Sequence, residues 1–140
     1  MCKTIKQKVK FEASSKAVYK LLADSKLHSA FSGERANIST KVGGAFSAYS
    51  GYITGINVDL LPGKRIVQAW RAKDFPAGIF SMATFNLAET RDGGTELMLT
   101  HRGVPKDLIP GIENGWREYY WNRMKDYLSG STKGEGRSAK

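Results

Sequence analysis

The chain has 140 residues, 22 Lys and Arg against 13 Asp and Glu for a net charge of +9, and 41% hydrophobic residues. That length fits one domain able to bury a core unaided, and no apolar run approaches the ~18 residues of a membrane span. A single cysteine, Cys2, excludes an internal disulfide, and the isolated His28 and His101 give no zinc-site spacing.

Taken in chain order, residues 5–12 alternate cleanly and predict a strand. Ile5, Val9 and Phe11 share its buried face with one exception, Gln7, while Lys6, Lys8 and Lys10 line the outer face. Ser14 or Ser15 is a suitable N-cap, and Val18, Leu21 and Leu22 give a short amphipathic helix ending near Asp24. Residues 25–31 add a second short helix, stopped at Ser32-Gly33. From Ala36 the pattern becomes strands: 38–42, the Gly43-Gly44 turn, 45–50 and 52–60. After the turn at Leu61-Pro62-Gly63-Lys64 come a strand at 65–71, a loop through Pro76, and a hairpin of 79–89 with 95–102.

The last element predicted is a helix over 111–128. Ile112, Trp116, Tyr119, Tyr120, Trp121, Met124, Tyr127 and Leu128 spread over roughly half its circumference, wider than the ~100° stripe of a helix lying on a flat sheet. A curved sheet wrapped around the helix would cover so wide an arc and leave a cleft between the two. Hairpin-length connections make that sheet antiparallel. The fold expected is therefore α+β, with about six or seven strands gripping the C-terminal helix and two short helices after the first strand. Residues 1–128 would form the domain, followed by a polar, glycine-rich tail at 129–140 expected to be disordered.

Several sequence blocks are similar to the family of activator of heat-shock-protein-90 ATPase homologues, within the START-like or helix-grip superfamily. They are Val42-Gly43-Gly44-Ala45-Phe46, Gly51-Tyr52-Ile53-Thr54-Gly55, Leu61-Pro62-Gly63-Lys64-Arg65-Ile66-Val67 and Ala69-Trp70-Arg71, then Asp74-Phe75-Pro76-Ala77-Gly78, Gly93-Gly94-Thr95-Glu96-Leu97, Gly103-Val104-Pro105 and Gly115-Trp116-Arg117-Glu118-Tyr119-Tyr120-Trp121. The likeness runs from about residue 5 to 128 and implies the same helix-grip fold. It departs at Phe75, where the family often has tryptophan, and at Phe31, where many relatives carry an early tryptophan. The resemblance implies a non-enzymatic, cytoplasmic, co-chaperone-like module in the stress response, with a heat-shock-protein-90-type chaperone as partner. As a single domain the chain is expected to lack the separate N-terminal domain that makes the main activating contact in the eukaryotic co-chaperone.

Two sets of binding residues follow. Trp116, Tyr119, Tyr120 and Arg123 on the helix, with Phe46, Trp70, Phe80 and Phe85 on the sheet, would line a cleft for a small apolar ligand. Trp116 and Trp70 fit core packing better than a site, and Arg123 could bind a ligand carboxylate, form a structural ion pair or snorkel out. Lys6, Lys8 and Lys10, with Phe75 and Pro76 on a loop, would form a partner-contact surface. The charge also invites nucleic-acid binding, but no basic helix or aromatic-studded RNA-binding strand accompanies it. No paired carboxylates, nucleophile elbow, metal cluster or cofactor fingerprint is present, so catalytic residues, metal and cofactor are all expected to be absent. His101 at a strand end would need a nucleophile or carboxylate in reach to act as a general base, and His28 is the weaker candidate of the two.

Overall fold

The computed structural model describes residues 4–132, and the elements follow the expected order closely. Strand β1 (Ile5–Phe11) leads into helices α1 (Ser15–Ala23) and α2 (Ser25–Ser32). Six strands follow: β2 (Asn37–Ile38), β3 (Ala45–Ala48), β4 (Ile53–Leu61), β5 (Arg65–Ala72), β6 (Ser81–Glu89) and β7 (Thr95–Arg102). They form one antiparallel sheet in the order β1-β7-β6-β5-β4-β3-β2. A C-terminal helix, α3 (109–132), completes the fold.

Local chemistry accounts for the helix ends. Ser14 Oγ accepts from the Ala17 N–H, and Asp24 both ends α1 and caps α2 by accepting from the Leu27 N–H at 2.9 Å. Gly33 closes α2 in the left-handed conformation, φ 76°. The serines of α2 tie down the sheet edge. Ser25 Oγ accepts from the Ile38 N–H at 2.7 Å, and Ser29 Oγ accepts from the Ala36 N–H at 2.9 Å.

The strand β2 is only two residues long because Ser39 to Gly44 already belong to the turn, with Val42 61% exposed. β3 stops at Ala48, since Tyr49 and Ser50 both adopt positive φ, 53° and 55°. β6 begins at Ser81, leaving Ile79 and Phe80 exposed in the loop. Helix α3 begins two residues early, at Ile109, because Pro110 fits its first turn. It also continues past Leu128 to Thr132, and residues 133–140 of the expected tail lie outside the described residues.

Alternation on the strands sorts side chains to the two faces. The concave face carries Ile5, Phe11, Leu97, Leu99, Ala83, Phe85, Ile66 and Trp70, all at most 3% exposed, against Trp116, Tyr120, Trp121 and Met124 of α3. Burial of one such large side chain stabilises by ~1.5–3 kcal/mol. Curvature is set in β4. A bulge displaces the register between Asn57 and Asp59, and Gly55 lies opposite both Phe46 and Trp70, allowing the Phe46 ring to lie over the backbone.

Gln7, the polar exception on β1, has a defined role. Its Oε1 accepts from the Trp121 indole N–H at 2.6 Å, and its Nε2 donates to the Glu113 carbonyl at 2.9 Å, pinning α3 to the sheet edge. Gln7→Leu keeps the bulk but leaves a buried indole N–H unsatisfied. We expect it to lose about 1–2 kcal/mol in urea unfolding. Equal stability of Gln7→Leu and the parent chain would refute the role.

Candidate functional site

Helix α3 is not a uniform α-helix. Residues Ile109–Gly115 and Asn122–Thr132 are α-helical, but Trp116–Trp121 between them form a π segment in which the Asn122 N–H reaches back five residues to the Arg117 carbonyl. Each wide turn takes an extra residue and is a recurrent feature of functional sites. It also revises the apolar arc: at a fixed 100° per residue the projection overstates the covered face. Trp116, Tyr120 and Trp121 are buried, whereas Tyr119 is 47% exposed.

The π segment forms one wall of a cleft of about 560 Å³, within the range of small-molecule sites. Trp70, Trp116 and Tyr120 provide its aromatic floor, with Ile53, Ala72 and Ile112. Tyr49, Tyr52 and Tyr119 stand at its mouth beside Glu34, Asp74 and Asp107, and Leu108, Gly111 and Gly115 complete the helix side. Tyr49 donates its hydroxyl to the Tyr119 carbonyl of the π segment, so the strained 49–50 corner and the widened helix turn hold one another. Ser50 Oγ donates to Glu34 at 2.9 Å, and the Tyr52 hydroxyl donates to Asp74 at 2.7 Å. The Asp74 hydrogen bond, together with burial, pushes the Tyr52 phenol up to about 12. Burial raises the Tyr49 and Tyr120 phenols too, so all three remain protonated and neutral at neutral pH.

Beneath the floor, the Trp116 indole N–H, which can only donate, lies 3.1 Å from His101 Nδ1. The histidine proton therefore sits on Nε2, which donates to Ser81 Oγ at 2.7 Å, and Ser81 donates to the Trp70 carbonyl at 2.8 Å. A serine nucleophile would need the opposite tautomer, with Nε2 free to accept its proton. His101 and Ser81 are 0% and 1% exposed, and burial lowers the His101 pKa from 6.5 to about 3. This pair links the Trp70 backbone to the Trp116 ring through hydrogen bonds. His28 is likewise buried, its Nε2 3.0 Å from the Tyr120 hydroxyl, and burial lowers its pKa to about 4.

Of the cleft residues expected from sequence, Trp70, Trp116, Tyr119 and Tyr120 come together here. The other four do not. Phe46 and Phe85 are core residues around a void of only about 10 Å³ on the far side of Tyr120. Phe80 is 49% exposed outside the cleft, with the Arg71 guanidinium over its ring at 5.8 Å. Arg123 donates to the Ser32 carbonyl at 2.6 Å, closing the end of α2, and lies over the Tyr119 ring at 5.2 Å. Its charge is spent on that helix end and ring, not on a ligand carboxylate.

The expected partner surface divides similarly. Lys6, Lys8 and Lys10 project from the outer face of edge strand β1. Lys10 is committed to Asp92, 2.5 Å away, and faces Glu96 across the strands. Phe75 is not a surface aromatic: it is 4% exposed and packs edge-on against Trp70, leaving only Pro76 exposed. Tyr49, Tyr52, Glu34, Asp74 and Asp107 were missed from sequence. Tyr49 and Ser50 carried no turn signature, and the carboxylates sit on three loops far apart in the chain.

Among the described residues no group of three or more His, Cys, Asp or Glu could hold a metal ion, and no helix is long and apolar enough to cross a membrane. Residues 12–129 match the family described as Activator of Hsp90 ATPase homolog 1-like protein. The activator of 90 kDa heat shock protein ATPase homolog of Dictyostelium discoideum is 31% identical over 131 residues, 94% of this chain and 34% of that protein. The human homolog 1 is 33% identical over 124 residues, 89% of this chain and 36% of that protein. This chain thus spans about a third of the length of those relatives. Among solved structures, an HSP90 activator from Plasmodium falciparum superposes with TM-score 0.86 at 22% identity, covering 90% of this chain and 96% of that one. The Aha1 dimer of Colwellia psychrerythraea gives 0.77 at 16% identity, covering 90% and 96%, which likewise supports the shared fold.

Proposed function

Because this chain belongs to the family of Activator of Hsp90 ATPase homolog 1-like proteins, we propose that it is a non-enzymatic binding module that contacts a heat-shock-protein-90-type chaperone in the cytosol. The observation that carries this reading is the family match over residues 12–129, which takes in nearly all the described fold. The contact would use the outer face of β1, where Lys6 and Lys8 are exposed and only Lys10 is held in an ion pair among the described residues. Lysines on an edge strand also deter strand addition, so the contact would be made by side chains and would be salt-dependent.

The test is titration of the chaperone with this chain by calorimetry, alongside the chaperone's ATP hydrolysis rate. We expect binding that weakens with salt, and a roughly fivefold loss of affinity on Lys6→Glu with Lys8→Glu. No heat and no change in hydrolysis at millimolar concentration would defeat the reading.

The cleft supports a second role, as the carrier or sensor of a small, largely apolar ligand, because about 560 Å³ of aromatic-floored space is available. Native mass spectrometry of gently purified protein should reveal a stoichiometric adduct that denaturing extraction releases. A bare mass, together with tryptophan fluorescence unmoved by apolar probes at millimolar concentration, would sink this second role.

A further inference from the structure

Among the described residues, the charged side chains lining the cleft are Glu34, Asp74 and Asp107, with no lysine, arginine or histidine, in a chain carrying nine excess positive charges. None of the three carboxylates forms an ion pair among the described residues. Two are held in place by neutral donors instead: Glu34 by Ser50 and Asp74 by Tyr52. Arg123, whose charge also acts on Tyr49, is tied to the Ser32 carbonyl and to the Tyr119 ring and does not line the cleft. Low-dielectric walls concentrate such a field, so the mouth selects by charge before a ligand reaches the floor.

The floor adds to the same preference. Trp70 and Trp116 lie 5.6 Å apart with planes inclined at 36°, and Tyr120 is 4.7 Å from Trp116. Ring faces carry negative electrostatic potential and attract organic cations. The Tyr119 ring already accepts Arg123 in this way.

We propose that the cleft binds an organic cation: a molecule with a hydrophobic, aromatic-sized body and a protonated or quaternary amine. The body rests on Trp70, Trp116 and Tyr120, and the ammonium stays at the mouth among Glu34, Asp74 and Asp107. This rests on the ligand-carrier reading given above. The same arrangement excludes fatty acids and other apolar carboxylates of equal size, whose charge would face three carboxylates.

Three probes with one ring system separate the charge inference from the carrier reading: 2-(1-naphthyl)ethylamine, 2-(1-naphthyl)ethanol and 1-naphthylacetate. Binding is followed by tryptophan fluorescence and by backbone amide shifts of residues 111–120 at pH 7.5. The amine should bind at least tenfold tighter than the acetate, with the alcohol between them. That advantage should shrink severalfold in 0.5 M salt and in the Glu34→Gln, Asp74→Asn, Asp107→Asn triple variant, whose altered side chains are all exposed and outside the core. Equal binding of the three probes, or tighter binding of the acetate, overturns the cation inference and leaves the carrier reading standing. No binding of any probe, the neutral alcohol included, overturns both.

Discussion

Acidification from pH 7 to 4.5 should remove about 5 kcal/mol of stability through two histidines alone. His28 and His101 have an ordinary pKa of 6.5, lowered by burial to about 4 and about 3 in the fold. A lowered folded pKa means that the unfolded chain takes up protons which the folded chain refuses. The stabilisation is therefore fully present above pH 6.5, and is lost as the pH falls from there toward 4 and 3. Within that window each histidine contributes a slope of up to ~1.4 kcal/mol per pH unit. Geometry gives the same sign for His101: a proton on Nδ1 would meet the Trp116 N–H head-on at 3.1 Å. Equilibrium urea unfolding at pH 7.5, 6.0, 5.0 and 4.5 measures this directly. A flat profile above pH 4.5 would show that both imidazoles reach solvent or charge in place, and half the loss that one of them does. Against a total stability of ~5–15 kcal/mol, the predicted loss is large enough to unfold the protein in mild acid.

Gly55→Ala should be among the most damaging single substitutions outside the tryptophans. A Cβ at this position would lie 1.9 Å from the Ala69 carbonyl oxygen and 2.7 Å from the Phe46 ring. The carbonyl belongs to the neighbouring strand and cannot retreat without breaking the β4–β5 ladder, and Phe46 is only 5% exposed. Overpacking of this kind costs about 1–3 kcal/mol, and backbone contact places Gly55 at or above the upper end. Thermal unfolding tests it, with Gly43→Ala as the comparison: Gly43 has positive φ but nothing within 4 Å of its Cβ direction. Equal losses at the two sites would mean that the sheet relaxes freely at Gly55 and that the glycine does not set its curvature.

Strand alternation made the sheet legible from sequence, because period-two burial follows from the pleat itself: β5 alternates half-buried and buried residues along its whole length. Gln7 was visible as an anomaly, but its partners Trp121 and Glu113 lie more than 100 residues away, and no local pattern reports them. The helix was legible as apolar but not as divided, since a π segment has no compositional signature. For that reason Arg123 fell on the cleft face in projection and on the end of α2 in fact. Phe46 and Phe85 were expected to line the cleft and instead lie in the core, because periodicity cannot tell the part of an inner face that is filled from the part left open.

The π segment has one more consequence, for how the chain can change in length. A residue gained or lost elsewhere in α3 would rotate everything beyond it by about 100° and take Met124, buried in the core, out of place. Within 116–121 the surplus residue is already stored in the wide turn. Removing one there would convert π to α and leave both flanking segments in phase with the sheet. The wall of the cleft is thus a stretch of the helix where loss of one residue is compatible with the core, so the pocket can be reshaped by length as well as by substitution.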